Sequence, residues 1–159
     1  MRMLGWFITL LFALTACGTA ANAPLETNEG DGNVSDSKWL FDVETEQTNG
    51  ELLVTLTVTN NQEKASSIDF SSGQKYELVL LNEEGAIEYR YSEGMMFTMA
   101  LIHETFEPSE SKVYEERIPL DSISAGSYIL DAQLVLAAVD GSEWKDADTF
   151  HKQVKVEIK

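Results

Sequence analysis

The strongest constraint on the fold is a two-residue alternation of apolar and polar side chains, which recurs in several short segments. In the clearest segment, residues 52–58, apolar side chains occupy every second position and threonines follow most of them. Successive side chains of a β-strand point to opposite faces, so this period predicts strands with one face inward. The inward positions predicted this way are Trp39, Phe41, Val43, Leu52, Val54, Leu56, Val58, Ile87, Tyr89, Tyr91, Tyr128, Leu130, Ala132, Leu134, Leu136, Val154, Val156 and Ile158.

Turn sequences separate these predicted strands. Thr48-Asn49-Gly50 lies between the first two, and Asn82-Glu83-Glu84-Gly85 predicts a tight hairpin. Ala125-Gly126 precedes the longest predicted strand, and Asp140-Gly141 follows it. No stretch keeps a helical period over three turns. Residues 38–159 are therefore predicted to be all-β, an immunoglobulin-like antiparallel β-sandwich of seven to eight strands.

Tyr128 adds a local signal for that architecture. Gly126-Ser127-Tyr128 places a tyrosine at a strand entry just after a glycine turn. This resembles the tyrosine corner of immunoglobulin-like sandwiches, in which the hydroxyl bonds to nearby backbone. Leu130 stands where an antibody domain has its second cysteine, so the core is expected to rely on packing without a disulfide. The alternative is that Tyr128 is simply an inward-facing aromatic side chain.

The N-terminus has a different character. Arg2 precedes a mostly apolar run over residues 3–14, which ends in Leu14-Thr15-Ala16-Cys17. This arrangement resembles a bacterial lipoprotein signal peptide, which is cut just before a cysteine whose thiol carries a diacylglyceryl group. The apolar run is shorter than the roughly 20 residues that a spanning helix needs. A buried N-terminal helix and an ordinary secretory signal with an incidental cysteine are the alternatives.

Three segments follow from this reading. Residues 1–16 are the predicted signal peptide, and residues 17–37 the lipidated N-terminus and a disordered linker, because 18–37 are small, polar and acidic. Residues 38–159 form the folded domain. The mature protein is expected to be held by lipid on Cys17 at the extracytoplasmic face of the cell membrane.

The charge balance excludes one class of partner. Removing residues 1–16 leaves 10 basic and 27 acidic side chains, a formal charge of −17. Such a domain repels nucleic acid and anionic lipid head groups, so nucleic-acid binding is excluded.

The residues that carry chemistry in enzymes are sparse. His151 is predicted on the outer face of the terminal strand, and His103 is placed beside Glu104, which is predicted to polarise it. The sequence contains no Gly-x-Ser-x-Gly nucleophile elbow, no Cys/His cluster and no glycine-rich phosphate loop. We therefore expect no catalytic residue, no metal and no cofactor.

A longer motif lies in the middle of the chain. It comprises Phe70-Ser71-Ser72-Gly73-Gln74-Lys75-Tyr76-Glu77-Leu78-Val79, then Tyr89-Arg90-Tyr91-Ser92, then Phe97-Thr98 with Ala100, and finally Gly126-Ser127-Tyr128. Over residues 51–138 this pattern resembles the BsuPI intracellular proteinase inhibitor family of bacilli. The motif residues carried over are Phe70, Gly73, Gln74, Tyr76, Tyr89, Tyr91, Phe97, Gly126 and Tyr128.

The resemblance implies an immunoglobulin-like sandwich that inhibits serine proteases of the subtilisin type. Two departures stand out. The N-terminal export signal implies a secreted or surface protease as the target in place of an intracellular one. Met99 stands where the family is expected to favour glutamine, which puts a hydrogen-bonding role at that position in doubt.

The segment Ser92-Glu93-Gly94-Met95-Met96-Phe97 is open to two interpretations. As an inhibitory loop it would offer Met95 or Met96 to the specificity pocket of a protease. As a core plug it would bury Phe97, Met99 and Leu101 at the end of the sandwich, with Met96 filling a gap.

Residues 71–75 are likewise either a recognition loop or a turn that fixes the fold. As a turn, the segment is expected to use Gly73 to permit a positive φ.

Two functions are carried forward. The first is a lipid-anchored, extracytoplasmic inhibitor of a serine protease that acts by loop insertion, with the membrane and the protease as its partners. The second is a non-inhibitory protein-binding or accessory domain of the cell envelope on the same fold.

Overall fold

The computed structural model describes residues 37–159, so the predicted signal peptide, Cys17 and all but the last residue of the predicted linker lie outside the described residues. The described chain consists of eleven strands joined by turns and loops. Their bounds are β1 (Trp39–Thr48), β2 (Glu51–Asn60), β3 (Ser66–Phe70), β4 (Tyr76–Asn82), β5 (Ile87–Arg90), β6 (Ile102–Phe106), β7 (Ser111–Pro119), β8 (Gly126–Leu134), β9 (Ala138–Val139), β10 (Ser142–Glu143) and β11 (His151–Ile158). Across these residues no helix has the length and hydropathy that crossing a membrane requires.

All strand pairs are antiparallel, and they form three sheets. Their strand orders are β1-β2-β7, β10-β9-β3-β6 and β11-β8-β4-β5. The inward faces of the three sheets share one hydrophobic core, so the predicted all-β sandwich is confirmed. Eleven strands exceed the seven or eight predicted, chiefly because β9 and β10 have two residues each and are too short to show an alternation.

The core follows the predicted alternation closely in β2. Leu52, Val54, Leu56 and Val58 are each at most 1 % exposed, and Trp39 and Val43 of β1 are buried beside them. Burying a side chain of this size contributes roughly 1.5–3 kcal/mol to folding. The full set of buried apolar residues is Trp39, Val43, Leu52, Val54, Leu56, Val58, Ile68, Phe70, Tyr76, Leu78, Leu80, Phe106, Ile118, Leu120, Tyr128, Leu130, Ala132, Leu134, Val139, Phe150, Val156 and Ile158.

One predicted inward position is exposed in the structure. Ile87 begins β5 and is 50 % exposed, because β5 is the edge strand of its sheet. Five other predicted inward positions are partly buried and pack against the core, namely Phe41, Tyr89, Tyr91, Leu136 and Val154.

Tyr128 forms the predicted tyrosine corner. Its hydroxyl donates a hydrogen bond of 2.8 Å to the carbonyl oxygen of Ser124, four residues earlier, while its ring is buried. Leu130, two residues on, is fully buried. The two interpretations of this tyrosine are therefore both correct, because the ring fills the core and the hydroxyl fixes the turn.

The predicted hairpin between β4 and β5 is also confirmed. The side-chain oxygen of Asn82 accepts hydrogen bonds from the backbone N–H groups of Glu84 and Ala86, at 3.0 and 2.9 Å. Gly85 has a φ of 80°, in the left-handed region that glycine adopts without strain. This hairpin directs the chain into β5 and from there into the irregular segment that precedes β6.

Candidate functional site

The chain leaves the sheet after β5 and does not re-enter one until β6, and residues 92–101 between them form what we call the exposed loop. Its apolar side chains point into solvent: Met96 is 98 % exposed, Met99 91 %, Leu101 72 % and Met95 51 %. The core-plug interpretation is therefore wrong for Met96, Met99 and Leu101. Of the aromatic and aliphatic side chains in the loop, only Phe97 is partly buried.

The start of the exposed loop is held by a buried carboxylate. Glu77 of β4 is only 8 % exposed, and its Oε1 accepts the backbone N–H of Ser92 at 3.1 Å and that of Leu78 at 3.2 Å. Its Oε2 accepts a hydrogen bond of 3.2 Å from Nε2 of Gln74. A buried carboxylate is costly unless its oxygens are satisfied, so these bonds fix both Glu77 and the first residue of the loop.

Two turns follow directly. The N–H of Glu93 donates to the carbonyl oxygen of Arg90 at 3.1 Å, and the N–H of Met95 donates to that of Ser92 at 3.2 Å. Gly94 has a φ of 74°, which a residue with a side chain adopts only with strain. The path of the chain up to Met95 is thus set by backbone bonds.

The far end of the exposed loop is held by Gly73. Its N–H donates a hydrogen bond of 2.8 Å to the carbonyl oxygen of Thr98. A Cβ atom on Gly73 would lie 2.8 Å from Oγ1 of Thr98 and 3.4 Å from its backbone nitrogen, so glycine is needed because the two segments approach closely. The expected positive φ at Gly73 is wrong, since this residue is absent from the positive-φ glycines of residues 37–159.

An aromatic chain lies beneath the loop. The ring of Tyr91 packs against Phe97, with centroids 5.8 Å apart, and against Tyr76 at 4.7 Å. Tyr76 in turn lies 6.1 Å from Tyr114 of β7 and donates a hydrogen bond of 3.1 Å to Oε2 of Glu116. The motif residues Tyr76, Tyr91 and Phe97 therefore form one support for the loop.

Burial shifts the ionisation of these tyrosines. It raises the pKa of Tyr76 and of Tyr114 well above the ordinary value, with further contributions from Tyr91 at Tyr76 and from Glu104 at Tyr114. Burial, with the nearby charge of Glu116, also raises the pKa of Tyr89 to about 12. The Tyr76 and Tyr114 hydroxyls therefore remain neutral donors to Glu116 and Glu104 to a higher pH than an ordinary tyrosine would.

Next to the aromatic chain, Glu104 of β6 joins three elements. Its Oε1 lies 2.5 Å from Nζ of Lys75, and its Oε2 accepts a hydrogen bond of 2.6 Å from the Tyr114 hydroxyl. Nζ of Lys112 lies 3.9 Å from the same Oε2. Burial alone would raise the pKa of Glu104, but the bonds from Lys75 and Tyr114 outweigh it and hold the pKa below the ordinary value.

His103 is not polarised by Glu104, so that prediction is wrong. Neighbouring residues of a strand point to opposite faces, and Nδ1 of His103 instead lies 2.6 Å from Oδ1 of Asp69, its cross-strand partner on β3. Nε2 of His103 lies 3.5 Å from Oγ1 of Thr105. The order carboxylate–imidazole–hydroxyl is that of a hydrolytic triad, but His103 lies on an exposed sheet face, and a hydrogen bond between cross-strand partners accounts for the arrangement.

His151 begins β11 and is half-buried. Its Nε2 lies 3.0 Å from Oδ1 of Asp131 on β8, whose other carboxylate oxygen accepts a bond of 2.6 Å from Nε2 of Gln153. This is a surface network between paired strands. Within residues 37–159 no group of three or more His, Cys, Asp or Glu side chains is placed to hold a metal ion.

Several residues that shape the site were given either no role or a different one from sequence. Glu77 and Thr98 lay in the motif without a role of their own, Glu104 was expected to polarise His103, and Tyr114 was not singled out. One signal for Glu77 was available. It lies in a run of apolar residues over 76–81, where a lone acid in a strand of the core needs partners. Thr98, Glu104 and Tyr114 carry no such local signal.

Comparison with known proteins identifies one family. The family model of BsuPI, described as intracellular proteinase inhibitor, matches residues 39–139. The match covers β1 to β9, and it includes the whole exposed loop and both of its tethers. No curated protein matches the chain.

Several solved structures resemble the fold at low identity. A β-glucuronidase from Bacteroides uniformis has a TM-score of 0.43 and 8 % identity, over 76 % of this chain and 14 % of its own. A structural genomics target, SoR45, has a TM-score of 0.39 and 14 % identity, over 77 % and 84 %. A penta-heme cytochrome c552 from Thermochromatium tepidum has a TM-score of 0.40 and 10 % identity, over 74 % and 40 %. Likenesses this distant carry no argument about function.

Proposed function

The chain belongs to the BsuPI family of intracellular proteinase inhibitors, and on this premise we propose that it inhibits a subtilisin-type serine protease by inserting residues 92–97 into the cleft. Proteinase inhibition is the activity that the family implies, and members of such a family act by binding rather than by catalysis. The type of protease, the contacting loop and the cellular location are our proposal.

The observation that supports the loop is the exposure of Met96, 98 %, in a segment held on one side by the buried Glu77 and on the other by Gly73 of a neighbouring loop. A protein inhibitor needs an extended segment on a stiff support, with one side chain that fills the specificity pocket. Because the ends of the segment are already ordered, less conformational entropy is lost on binding. A large apolar side chain such as that of Met96 suits an apolar pocket.

The tethers would slow turnover of the loop by a protease. The Glu77–Ser92 bond precedes Met95, and the Gly73–Thr98 bond follows Met96. After a cut between Met95 and Met96, one new end would stay held by the buried Glu77 and the other by the loop that contains Gly73. The ends would remain near each other in the cleft, which favours rejoining of the bond over release of a product.

We further propose that Cys17 carries a diacylglyceryl group, so that the inhibitor acts at the outer face of the membrane. Two acyl chains suffice for stable anchoring, whereas a single chain binds only marginally. The segment 17–37 then acts as a tether between lipid and domain, and a secreted or surface protease is the partner. Changing Cys17→Ser should release the protein into the medium or leave it unprocessed, and unchanged membrane association in detergent partitioning would contradict the anchor.

The decisive experiment is titration of a commercial subtilisin with the purified protein. Stoichiometric inhibition is expected, and the double variant Met95→Gly, Met96→Gly should raise the inhibition constant about 100-fold or more, as losing a central anchor does. Met99→Gly is the matched control, because Met99 is 91 % exposed but lies beyond the Thr98 tether. It should change the constant only slightly.

Absence of inhibition across a panel of subtilisin-like proteases would favour the alternative, a non-inhibitory protein-binding or accessory domain of the cell envelope. An equal effect of Met99→Gly and of the double variant would instead place the contact elsewhere on the exposed loop.

A further inference from the structure

We infer that the thioethers of Met95 and Met96 form a peroxide-responsive modification site, and that their oxidation to sulfoxide releases the bound protease. The inference rests on the proposed function, since it concerns the same two side chains. It adds a control of that function by a small oxidant of the hydroperoxide class.

The exposure of the sulfur atoms makes the reaction feasible. The chain has five methionines and one cysteine, and three of those methionines, Met95, Met96 and Met99, lie in the exposed loop. Oxygen transfer to a thioether needs direct contact with the oxidant, and susceptibility follows exposure. Met96 is 98 % exposed, so its sulfur is open to solvent from nearly every side.

The step balances with hydrogen peroxide as the only co-reactant. A lone pair on the methionine sulfur attacks one peroxide oxygen, and the O–O bond breaks. The departing hydroxide takes the proton from the transferred oxygen, so that a sulfoxide and one water are formed. Hydrogen peroxide is uncharged, and the formal charge of −16 on the chain therefore does not repel it.

The site has the properties of a switch because oxidation there leaves the core untouched. Met96 is 98 % exposed and Met95 51 %, and neither side chain belongs to the hydrophobic core. A sulfoxide is polar and chiral, and an apolar pocket offers it no hydrogen-bond donor. Oxidation should thus weaken binding without unfolding the domain, and methionine sulfoxide reductases of both epimer classes would restore it.

The test treats the full mature protein with dilute hydrogen peroxide, removes the oxidant with catalase and desalting, and then titrates subtilisin. Peptide mapping should show one added oxygen at each of Met95, Met96 and Met99, since all three side chains are exposed. The inhibition constant is expected to rise about tenfold or more, with an unchanged melting temperature, and to recover after treatment with the two reductases.

Two variants assign the effect, each compared with its own untreated sample. The double variant Met95→Leu, Met96→Leu should lose the response to peroxide, and Met99→Leu should retain it. Sulfoxide at Met95 and Met96 with an unchanged inhibition constant would overturn the inference and leave the proposed function intact. A fall in melting temperature would also overturn it, because the lesion would then be damage to the fold.

The behaviour of the untreated protein separates failure of the proposed function from failure of the inference. If the untreated protein inhibits none of the panel of subtilisin-like proteases, both the proposed function and the inferred release are overturned. If it inhibits and the double leucine variant still responds to peroxide, the responsive group lies outside Met95 and Met96, and only the inference fails.

Discussion

Two loop regions of this molecule are each held by a buried polar side chain that bonds to their backbone. One of them exposes apolar side chains to solvent and the other exposes polar ones. In the exposed loop, the buried carboxylate of Glu77 holds the chain at Ser92. In the region we call the Asn60 corner, residues 60–66 and 106–110, the fully buried amide of Asn60 donates to the carbonyl oxygens of Lys64, Phe106 and Glu107 at 2.9–3.1 Å. Each region thus depends on one satisfied polar side chain.

The difference lies in what each region shows to solvent. Around the Asn60 corner the exposed side chains are mostly polar, such as Asn61, Glu63 and Glu107. In the exposed loop they are methionines, whose burial would contribute roughly 1.5–3 kcal/mol each. Both loops thus have a buried polar anchor, and the difference between them is the exposed apolar surface of one and the polar surface of the other.

The largest effect on stability is expected at the Asn60 corner. Asn60→Leu keeps the volume but leaves three carbonyl oxygens without their donor, and it should lower the free energy of unfolding by about 3 kcal/mol. Urea unfolding measures the loss. At a temperature where the variant is folded, the inhibition constant for subtilisin should equal that of the wild type. A rise in that constant would contradict the comparison, since the corner would then also act in binding.

Glu77→Ala should affect both properties. It removes the acceptor for the N–H groups of Leu78 and Ser92 and opens a small cavity, so we expect a loss of about 2 kcal/mol in urea unfolding. The start of the loop is no longer fixed, and the inhibition constant should rise about tenfold as more entropy is lost on binding.

Glu77→Gln is the matched control for that change. Its amide oxygen can accept from Ser92, and its NH₂ group can donate to Gln74 once the Gln74 amide turns over. Both effects should therefore be much smaller than those of Glu77→Ala. Equal losses in the two variants would show that the carboxylate charge, rather than its acceptor geometry, holds the loop.

Gly73→Ala tests the second tether. The added Cβ would lie 2.8 Å from Oγ1 of Thr98, and a short side-chain rotation relieves part of the clash, so we expect a loss of about 1 kcal/mol. Thr98→Ala removes Oγ1 and should make the Gly73→Ala change less costly. A double-mutant cycle in urea measures this coupling. A coupling energy near zero would mean that the two residues do not constrain each other.

Periodic features were predictable from sequence because local chemistry decides them. The alternation over residues 52–58 predicts burial in β2, and the Gly126-Ser127-Tyr128 entry predicts the bond to Ser124, four residues away. Such features depend on neighbours along the chain, and the pleat of a strand enforces them. The same rule, applied to His103 and Glu104 once they are assigned to a strand, explains why these neighbours do not interact.

The site was not predictable in this way because its contacts join distant parts of the chain. Residues 77 and 92 are 15 positions apart, and Lys75 and Glu104 are 29 apart. The apolar character of Met95 and Met96 fits a core and a contact surface equally well. These two roles are distinguished only by the departure of the chain from the sheet after β5. That departure depends on the edge position of β5, which also exposes Ile87, and the edge position follows from the order of all strands in the sheet.

The smallest expected effect is a loss of folding stability at alkaline pH through Tyr114, which belongs to the aromatic chain beneath the loop. Burial raises the pKa of Tyr114, so the folded state keeps its hydroxyl neutral while the unfolded state ionises near the ordinary value of 10.0. The stability from this tyrosine is therefore complete below pH 10 and declines as pH rises above it. Tyr114→Phe loses the bond to Glu104, about 1 kcal/mol, but cannot ionise. Urea midpoints measured between pH 8 and pH 11 should show the variant less stable than the wild type at pH 8, with the difference between them closing above pH 10. A difference that stays constant with pH would mean that Tyr114 ionises equally in the folded and unfolded states.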